Sequence, residues 1–376
     1  MVPPLRFDSL KAYAFRIPLR TPFRISVGEV TEKEGVLFEA RCGDLVGWGE
    51  AAVDGVPYYT WETVGSVLDV ARRALGPVAG SRAWGHPSEL VEAMDAFNGH
   101  SFAKAGIEAA LWDLFGKAAG RSVASLIGAE RAWVEAGPSL GIKASPEALV
   151  KAVGEALDEG WRRVKIKVMP GRDTAFIEAV RRRFPEMTLM VDANNAYLPQ
   201  DIGTLAAWDA YRLLMIEQPL DRHDLHYHVE LCRRLQTPIC LDESIETVHL
   251  ADCALRMKAA DIINIKVGRV GGLVNTLRVH DLAVAAGCPL WIGSRVTTGV
   301  AEASYLAAAA LPGITLPSDV GAGRAYLSED IVTHFFERRN GCEFRVPSAD
   351  EPGFGVEVDR DRLERYTAAV VEIPLR

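Results

Sequence analysis

Short apolar runs return at a near-constant interval through the second half of this chain, and that recurrence constrains its fold more than any other feature. They lie at 139–142, 163–168, 188–192, 213–217, 238–242, 261–266, 289–293 and 314–319, most of them separated by a stretch of helical periodicity. Eight such runs with intervening helices are the pattern of a (β/α) barrel, whose parallel strands are joined by right-handed crossovers. An open doubly wound sheet is the competing arrangement. It is disfavoured because no glycine-rich fingerprint follows a first strand, and because candidate functional residues recur on consecutive strands instead of at one switch point.

Three of the runs end in an acid. Asp192 closes Leu189-Met190-Val191, Glu217 closes Leu214-Met215-Ile216, and Asp242 closes Ile239-Cys240-Leu241. From 192 to 217 and from 217 to 242 the step is 25 residues. A βα unit repeated at that interval is expected to set the three carboxylates at one height, at the strand ends where barrels carry their chemistry. Converging carboxylates repel unless a hard divalent cation neutralises them, and three of them leave open positions on octahedral Mg2+ for substrate oxygens. Mg2+ is therefore the expected ion, with Mn2+ as a substitute.

Lysines flank the acids on both sides. Lys165 and Lys167, about one period before Asp192, are two apart on a strand, so both point into the barrel while Ile166 and Val168 pack outward. Two buried ammonium groups disfavour each other's charge, which lowers their pKa values and suits one of them to act as a general base. For Lys165 the alternative is an ion pair with the acids. Lys266, one period after Asp242, comes from the far side of the barrel mouth, so a bound carboxylate substrate is expected between Lys167 and Lys266. The set specifies a reaction class: loss of the proton α to a carboxylate, giving an enediolate whose charge a cation stabilises. Racemisation uses both lysines as acid and base, whereas elimination or cycloisomerisation uses one. A hydrolase would want a further acid or histidine beside the metal, and a non-catalytic binding protein has no need of both lysines.

The first 130 or so residues have another rhythm, with strand patterns at 9–18, 34–41 and 45–50 followed by helical ones that include 103–114. At 376 residues, two domains are expected: an α+β domain over 1–132 and an α/β barrel over 133–340, with a segment at 341–376 returning to the first domain. A net charge of −8 provides no basic stripe to neutralise phosphates, so nucleic acid is not an expected partner. The opening Met1-Val2-Pro3-Pro4 lacks a signal-like charged and apolar pattern, and no apolar run approaches membrane-spanning length, so a cytoplasmic protein is expected. Six cysteines without CxxC spacing read as buried thiols. His223, His226 and His228 read as a solvated helix start.

The set Lys165-x-Lys167, Asp192-Ala193-Asn194, Glu217-Gln218-Pro219, Asp242-Glu243-Ser244 and Asn264-Ile265-Lys266-x-Gly268-Arg269-Val270-Gly271-Gly272 resembles the enolase superfamily in its muconate-lactonizing-enzyme subgroup. The resemblance spans nearly the whole chain. It implies a (β/α)7β barrel with an α+β N-terminal cap, Mg2+ on Asp192, Glu217 and Asp242, Lys167 and Lys266 facing each other across the substrate, and a dimer or octamer. Within the subgroup the stretches at 139–142, 190–194, 215–220, 237–245 and 315–319 are most similar to the o-succinylbenzoate synthase / N-succinylamino acid racemase family. That similarity implies dehydration of 2-succinyl-6-hydroxy-2,4-cyclohexadiene-1-carboxylate, a step of menaquinone formation, or else racemisation of an N-acylamino acid. Dipeptide epimerisation and muconate-type cycloisomerisation rank behind, the former because Asp319 stands alone where a pair of acids would hold a free amine.

One segment departs from the family pattern. Where Trp-Cys-Gly-Gly-Met and then an acid are usual, the chain has Trp291-Ile292-Gly293-Ser294-Arg295-Val296-Thr297. Arg295 either clamps a second substrate carboxylate or forms a salt bridge within its loop. Ser294, Arg295, Asn194, Ser139 and Asp319 are candidate substrate contacts. Phe23 and Tyr59 join them from two capping loops, at 20–28, with Gly28 as a hinge, and at 52–59, which are expected to exclude water from the site.

Overall fold

The computed structural model describes residues 2–25, 28–321 and 326–376. Strands β1 (Ser9–Ile25), β2 (Gly28–Cys42) and β3 (Leu45–Ala51) form an antiparallel meander. The loop expected at 20–28 is instead mostly the two arms of this hairpin, with Phe23 opposite Val30 and Arg24 opposite Glu29; Ser26 and Val27 lie outside the described residues. The register shifts between Pro18 and Phe23. Pro18 and Pro22 lack the N–H that a continuous ladder needs. One face of the meander buries Ala12, Val36, Phe38 and Ala40 against Ile107, Leu111 and Leu114 of the helix Ser101–Ala119. Sheet and helix lie so close that a β-carbon on Gly49 would stand 2.1 Å from the carbonyl oxygen of Gly106.

A short strand β4 (Trp133–Glu135) leads into seven parallel strands: β5 (Ser139–Leu140), β6 (Arg163–Lys167), β7 (Thr188–Asp192), β8 (Ile216–Glu217), β9 (Ile239–Leu241), β10 (Ile262–Ile265) and β11 (Leu290–Ile292). They pair in chain order as one curled sheet. The eighth run, 314–319, is not a continuous strand. It makes single parallel bridges from Ile314 to Leu290 of β11 and from Ser318 to Ala136, which lies between β4 and β5. Pro317, which has no N–H, interrupts the ladder there.

Along these strands the side chains alternate. Met190, Met215, Cys240, Ile262 and Trp291 form an apolar layer of their own inside the ring, while Ile166, Val191, Ile216, Leu241, Ile263 and Ile292 belong to the larger core shared with the outer helices. Two residues on from each inner apolar residue of β7, β8 and β9 comes an acid, so the period of 2 that fills the barrel with Met and Cys also lifts Asp192, Glu217 and Asp242 to its mouth.

After the barrel come β12 (Arg338–Arg339) and β13 (Glu343–Arg345), the latter paired with β4, and then β14 (Thr367–Glu372), which pairs with β1 and completes the N-terminal sheet. The cap and barrel are stitched by side chains that satisfy helix ends. Glu108 accepts hydrogen bonds from the N–H groups of Leu273 and Val274, both at 2.8 Å, at the start of the helix Leu273–Ala285. Glu50 accepts from the Thr298 N–H at 3.1 Å and its hydroxyl at 2.6 Å, just before the helix Gly299–Ala309. No helix among the described residues is long and apolar enough to cross a membrane.

Candidate active site

The register of the parallel sheet sets Lys167 opposite Asp192 and Asp192 opposite Glu217. The equal 25-residue spacing does not extend that row: Glu217 pairs with Cys240, so Asp242 stands two residues beyond the rung. Strands in a closed barrel are tilted and staggered, so groups at one height along the barrel axis climb along the strands from one to the next. The same stagger places Lys266 beyond the end of β10, on the face opposite Lys167.

All three acids are fully buried. Lys167 Nζ donates to Asp192 Oδ2 at 2.5 Å, Lys266 Nζ donates to Asp242 Oδ2 at 2.8 Å, and Arg269 pairs with the other oxygen of Asp242. Glu217 accepts from Lys165 Nζ at 3.0 Å and from Asn264 Nδ2 at 2.8 Å. Among the described residues no three acid, histidine or cysteine side chains form a ready-made cation site.

Burial pushes the Asp242 carboxyl up, but Arg269 and Lys266 outweigh it and hold the group well below the ordinary range. Burial likewise raises Asp192, and Lys167 and Lys165 bring it below its usual value. Glu217 is pushed up to about 8, by burial and then by the neighbouring charge of Asp192. Burial lowers Lys266, against the attraction of Asp242. The donor chemistry fits a hard divalent ion: three oxygen-only side chains lie at adjacent strand ends, and burial together with the charge of Asp192 drives Glu217 toward its neutral form.

Lys165 corrects the expectation of a depressed lysine. Burial does pull it down, but Asp319 at 2.5 Å and Glu217 at 3.0 Å, with Asp192 at 3.6 Å, together raise it well above the ordinary value. It is held charged, as the ion-pair alternative has it. Asp319 is corrected with it. Its carboxylate is taken up by Lys165 and by Arg163 at 2.9 Å, so it is engaged inside the protein and not free to take a substrate amine. Arg163 went unassigned in the sequence reading, although its place two residues before Lys165 puts it on the same inward face.

Above the strand ends lies a cavity with two lobes, both lined by Lys167, Lys266, Phe23, Ser294, Arg295 and Val296. The lobe under the cap adds Asn194, Tyr59, Tyr58, Asp54 and Lys33; the other adds Ser139, Lys165, Asp319 and Tyr326. Asn194, with positive φ, donates through Nδ2 to Glu243 Oε1 at 2.9 Å. Tyr326 donates to the Ser139 carbonyl oxygen at 2.7 Å and packs edge-on against Phe23, while the Ser139 hydroxyl is buried and makes no hydrogen bond among the described residues. Ser294 donates to the Arg295 carbonyl oxygen at 2.8 Å.

Tyr59 reaches further than a loop contact. Its hydroxyl bonds to Asp242, Lys266 and Arg269, and burial keeps it well above its ordinary pKa, hence neutral. Arg269 and Tyr59 thus form a second layer on the Asp242–Lys266 pair, and only the position of Arg269 one turn past Lys266 signalled it. Arg295 is tied to the second capping loop through Asp54 and, at 2.8 Å, through the Ala52 carbonyl oxygen, with its guanidinium over the Tyr59 ring. It is engaged in a salt bridge, but one to the cap and not within its own loop as the alternative has it. Of the histidines, His228 corrects the reading as a solvated helix start: it is fully buried, its Nδ1 bonded to the Asp224 carbonyl oxygen at 2.6 Å.

Fold and site together define a capped α/β-barrel enzyme with acids and lysines at its strand ends. The chain belongs to the enolase superfamily: residues 9–128 match the mandelate racemase / muconate lactonizing enzyme N-terminal domain, and residues 148–362 match the enolase C-terminal domain-like family. It is 41% identical to the o-succinylbenzoate synthase of Geobacillus kaustophilus, over 94% of this chain and 93% of that one. It is 39% identical to the N-succinylamino acid racemase of Thermus thermophilus, over 96% and 98%. A crystal structure of an enolase-superfamily member from Listeria innocua superposes with a TM-score of 0.94 at 35% identity, covering 99% of this chain and all (100%) of that one.

Proposed function

We propose that this protein is an o-succinylbenzoate synthase that works by abstracting the proton α to a carboxylate. The observation that carries the reading is that Lys167 and Lys266, from β6 and from just past β10, line one cavity directly above Asp192 and Asp242. Asp192, Glu217 and Asp242 would hold Mg2+, which when bound neutralises the substrate carboxylate and stabilises negative charge developing beside it. Lys167 takes the α-proton of 2-succinyl-6-hydroxy-2,4-cyclohexadiene-1-carboxylate and returns it to the departing hydroxyl, so that water leaves and the ring becomes aromatic. Lys266, kept cationic for this step beside Asp242, faces the enediolate and lowers its energy by charge. The cap excludes water through Tyr59 and Phe23.

The same two lysines serve the second reading, racemisation of an N-succinylamino acid, with each as acid or base on its own face of the α-carbon. Two relatives of nearly equal identity carrying those two names favour keeping it. Dipeptide epimerisation falls away because Asp319 is engaged by Lys165 and Arg163. The test is loss of the cyclohexadiene absorbance with Mg2+ present, after EDTA, and after Mg2+ is restored, run beside 1H NMR of α-proton exchange in D2O for an N-succinylamino acid. Metal-dependent loss of absorbance supports the synthase, exchange alone supports the racemase, and neither overturns both.

A further inference from the structure

The cap lobe holds a cation that the chemistry above does not use. Lys33 lies on β2 of the cap, 2% exposed, and lines the cavity that also contains Lys167 and Lys266. A buried ammonium costs several kcal/mol unless its donors and charge are matched. The matching here is incomplete: Nζ donates to the Val53 carbonyl oxygen at 3.1 Å and stands 3.6 Å from Glu50 Oε1. Glu50 is already committed through its other oxygen to Thr298, and its Oε1 makes no hydrogen bond among the described residues. Asp54 and Arg295 also act on Lys33 by charge, and these two are paired to each other. Phe23, Val30, Tyr58 and Val296 give this lobe an apolar and aromatic part that suits a short carbon chain.

We infer that Lys33 anchors the distal carboxylate of a dicarboxylate substrate, the second charged end of the succinyl arm, and that Arg295 does not. This inference rests on the proposed function. With the reacting carbon between Lys167 and Lys266, one arm of the substrate runs under the cap toward β2, and its terminal carboxylate meets the ammonium in a dry pocket where a charge-assisted bond is strong. Arg295, occupied by Asp54 and Ala52, forms the wall of that pocket. Burial pulls the Lys33 ammonium toward neutrality, and an arriving carboxylate offsets that pull.

The experiment measures α-proton exchange, or racemisation, of N-succinyl-L-phenylalanine and of its terminal amide, which keeps the skeleton but replaces the distal carboxylate by CONH2. Wild type is expected to show a KM for the diacid at least about tenfold below that for the amide. Lys33→Met should raise the KM for the diacid about tenfold more than that for the amide, and Lys33→Arg should restore part of the preference. Equal loss on both compounds would make Lys33 a structural residue and overturn the inference. A wild-type preference near one would do the same without any variant, which covers the case of Lys33→Met failing to fold. Failure of wild type to exchange either compound, while it converts the cyclohexadiene substrate, moves the comparison to inhibition by o-succinylbenzoate and its side-chain amide, with the same expected ratio. Failure on every substrate overturns the proposed function and this inference with it.

Discussion

The Tyr59 hydroxyl donates to Asp242 Oδ2 at 2.9 Å, joining a loop of the N-terminal cap to an acid at a barrel strand end 183 residues away. The same oxygen accepts from Lys266 Nζ at 2.5 Å. The capping loop is thereby tied to both Asp242 and the lysine that lines the cavity. Tyr59→Phe keeps the ring under the Arg295 guanidinium and removes only this shared hydroxyl. A fall in kcat of about tenfold is expected, with about 1 kcal/mol lost in stability. Steady-state kinetics and a thermal melt check both, and an unchanged kcat would show that the hydroxyl is only structural.

Lys266→Ala removes the cation that faces the enediolate while leaving Asp192, Glu217 and Asp242 in place. Turnover should fall by about 10²- to 10⁴-fold, the usual worth of a positioned acid, base or charge. The increase in Tm caused by Mg2+ should persist. Retained turnover would sink the proposed mechanism, and a lost Mg2+ response would make Lys266 a scaffold for the metal acids.

Arg295→Met breaks the pair with Asp54 that holds the second capping loop to the barrel. Both partners are largely buried, so a loss of about 1–3 kcal/mol is expected, read as a lower Tm. The ratio of activities on the cyclohexadiene substrate and on N-acylamino acids should change as the pocket wall relaxes. Unchanged preference together with unchanged Tm would show that the pair holds nothing.

A pH dependence follows from Glu302, buried in the first turn of the helix behind the pocket loop. Burial pushes its carboxyl from 4.5 up to about 8, although the Gly321 N–H donates to it at 2.7 Å. Glu108, buried between cap and barrel, is pushed up to about 7 by the same cause. The folded protein holds these protons more tightly than the unfolded chain, so their stabilisation is complete below 4.5 and is lost as pH rises through about 7 and about 8. The Tm should fall across that window. Glu302→Gln, whose amide oxygen can still accept from Gly321 and whose NH2 can meet the Ser294 and Thr297 hydroxyls, should flatten part of the fall. A melt series with identical slopes for variant and wild type would contradict the assignment.

Much of this protein was legible in the chain itself. The period of 2 within each apolar run decided which side chains enter the barrel, and the return of the runs marked seven of its parallel strands, the eighth run making only single bridges. Asp192, Glu217, Lys167 and Lys266 stand where those periods put them, because local patterning and burial act together along a parallel strand. What the tertiary structure alone decided is how the charges meet. Equal spacing suggested one row of acids, but the stagger of a closed ring lifts Asp242 off the rung. For Lys165 the sequence leaves a depressed base and an ion pair both open, and Asp319, 154 residues away, decides for the ion pair by accepting from its ammonium. For Arg295 the sequence leaves a substrate clamp and a salt bridge within its loop both open, and the fold gives it to Asp54 of the cap. Each of these depends on the dielectric and distance between groups far apart in the chain, and a sequence contains neither quantity until the barrel closes and the cap sits on it.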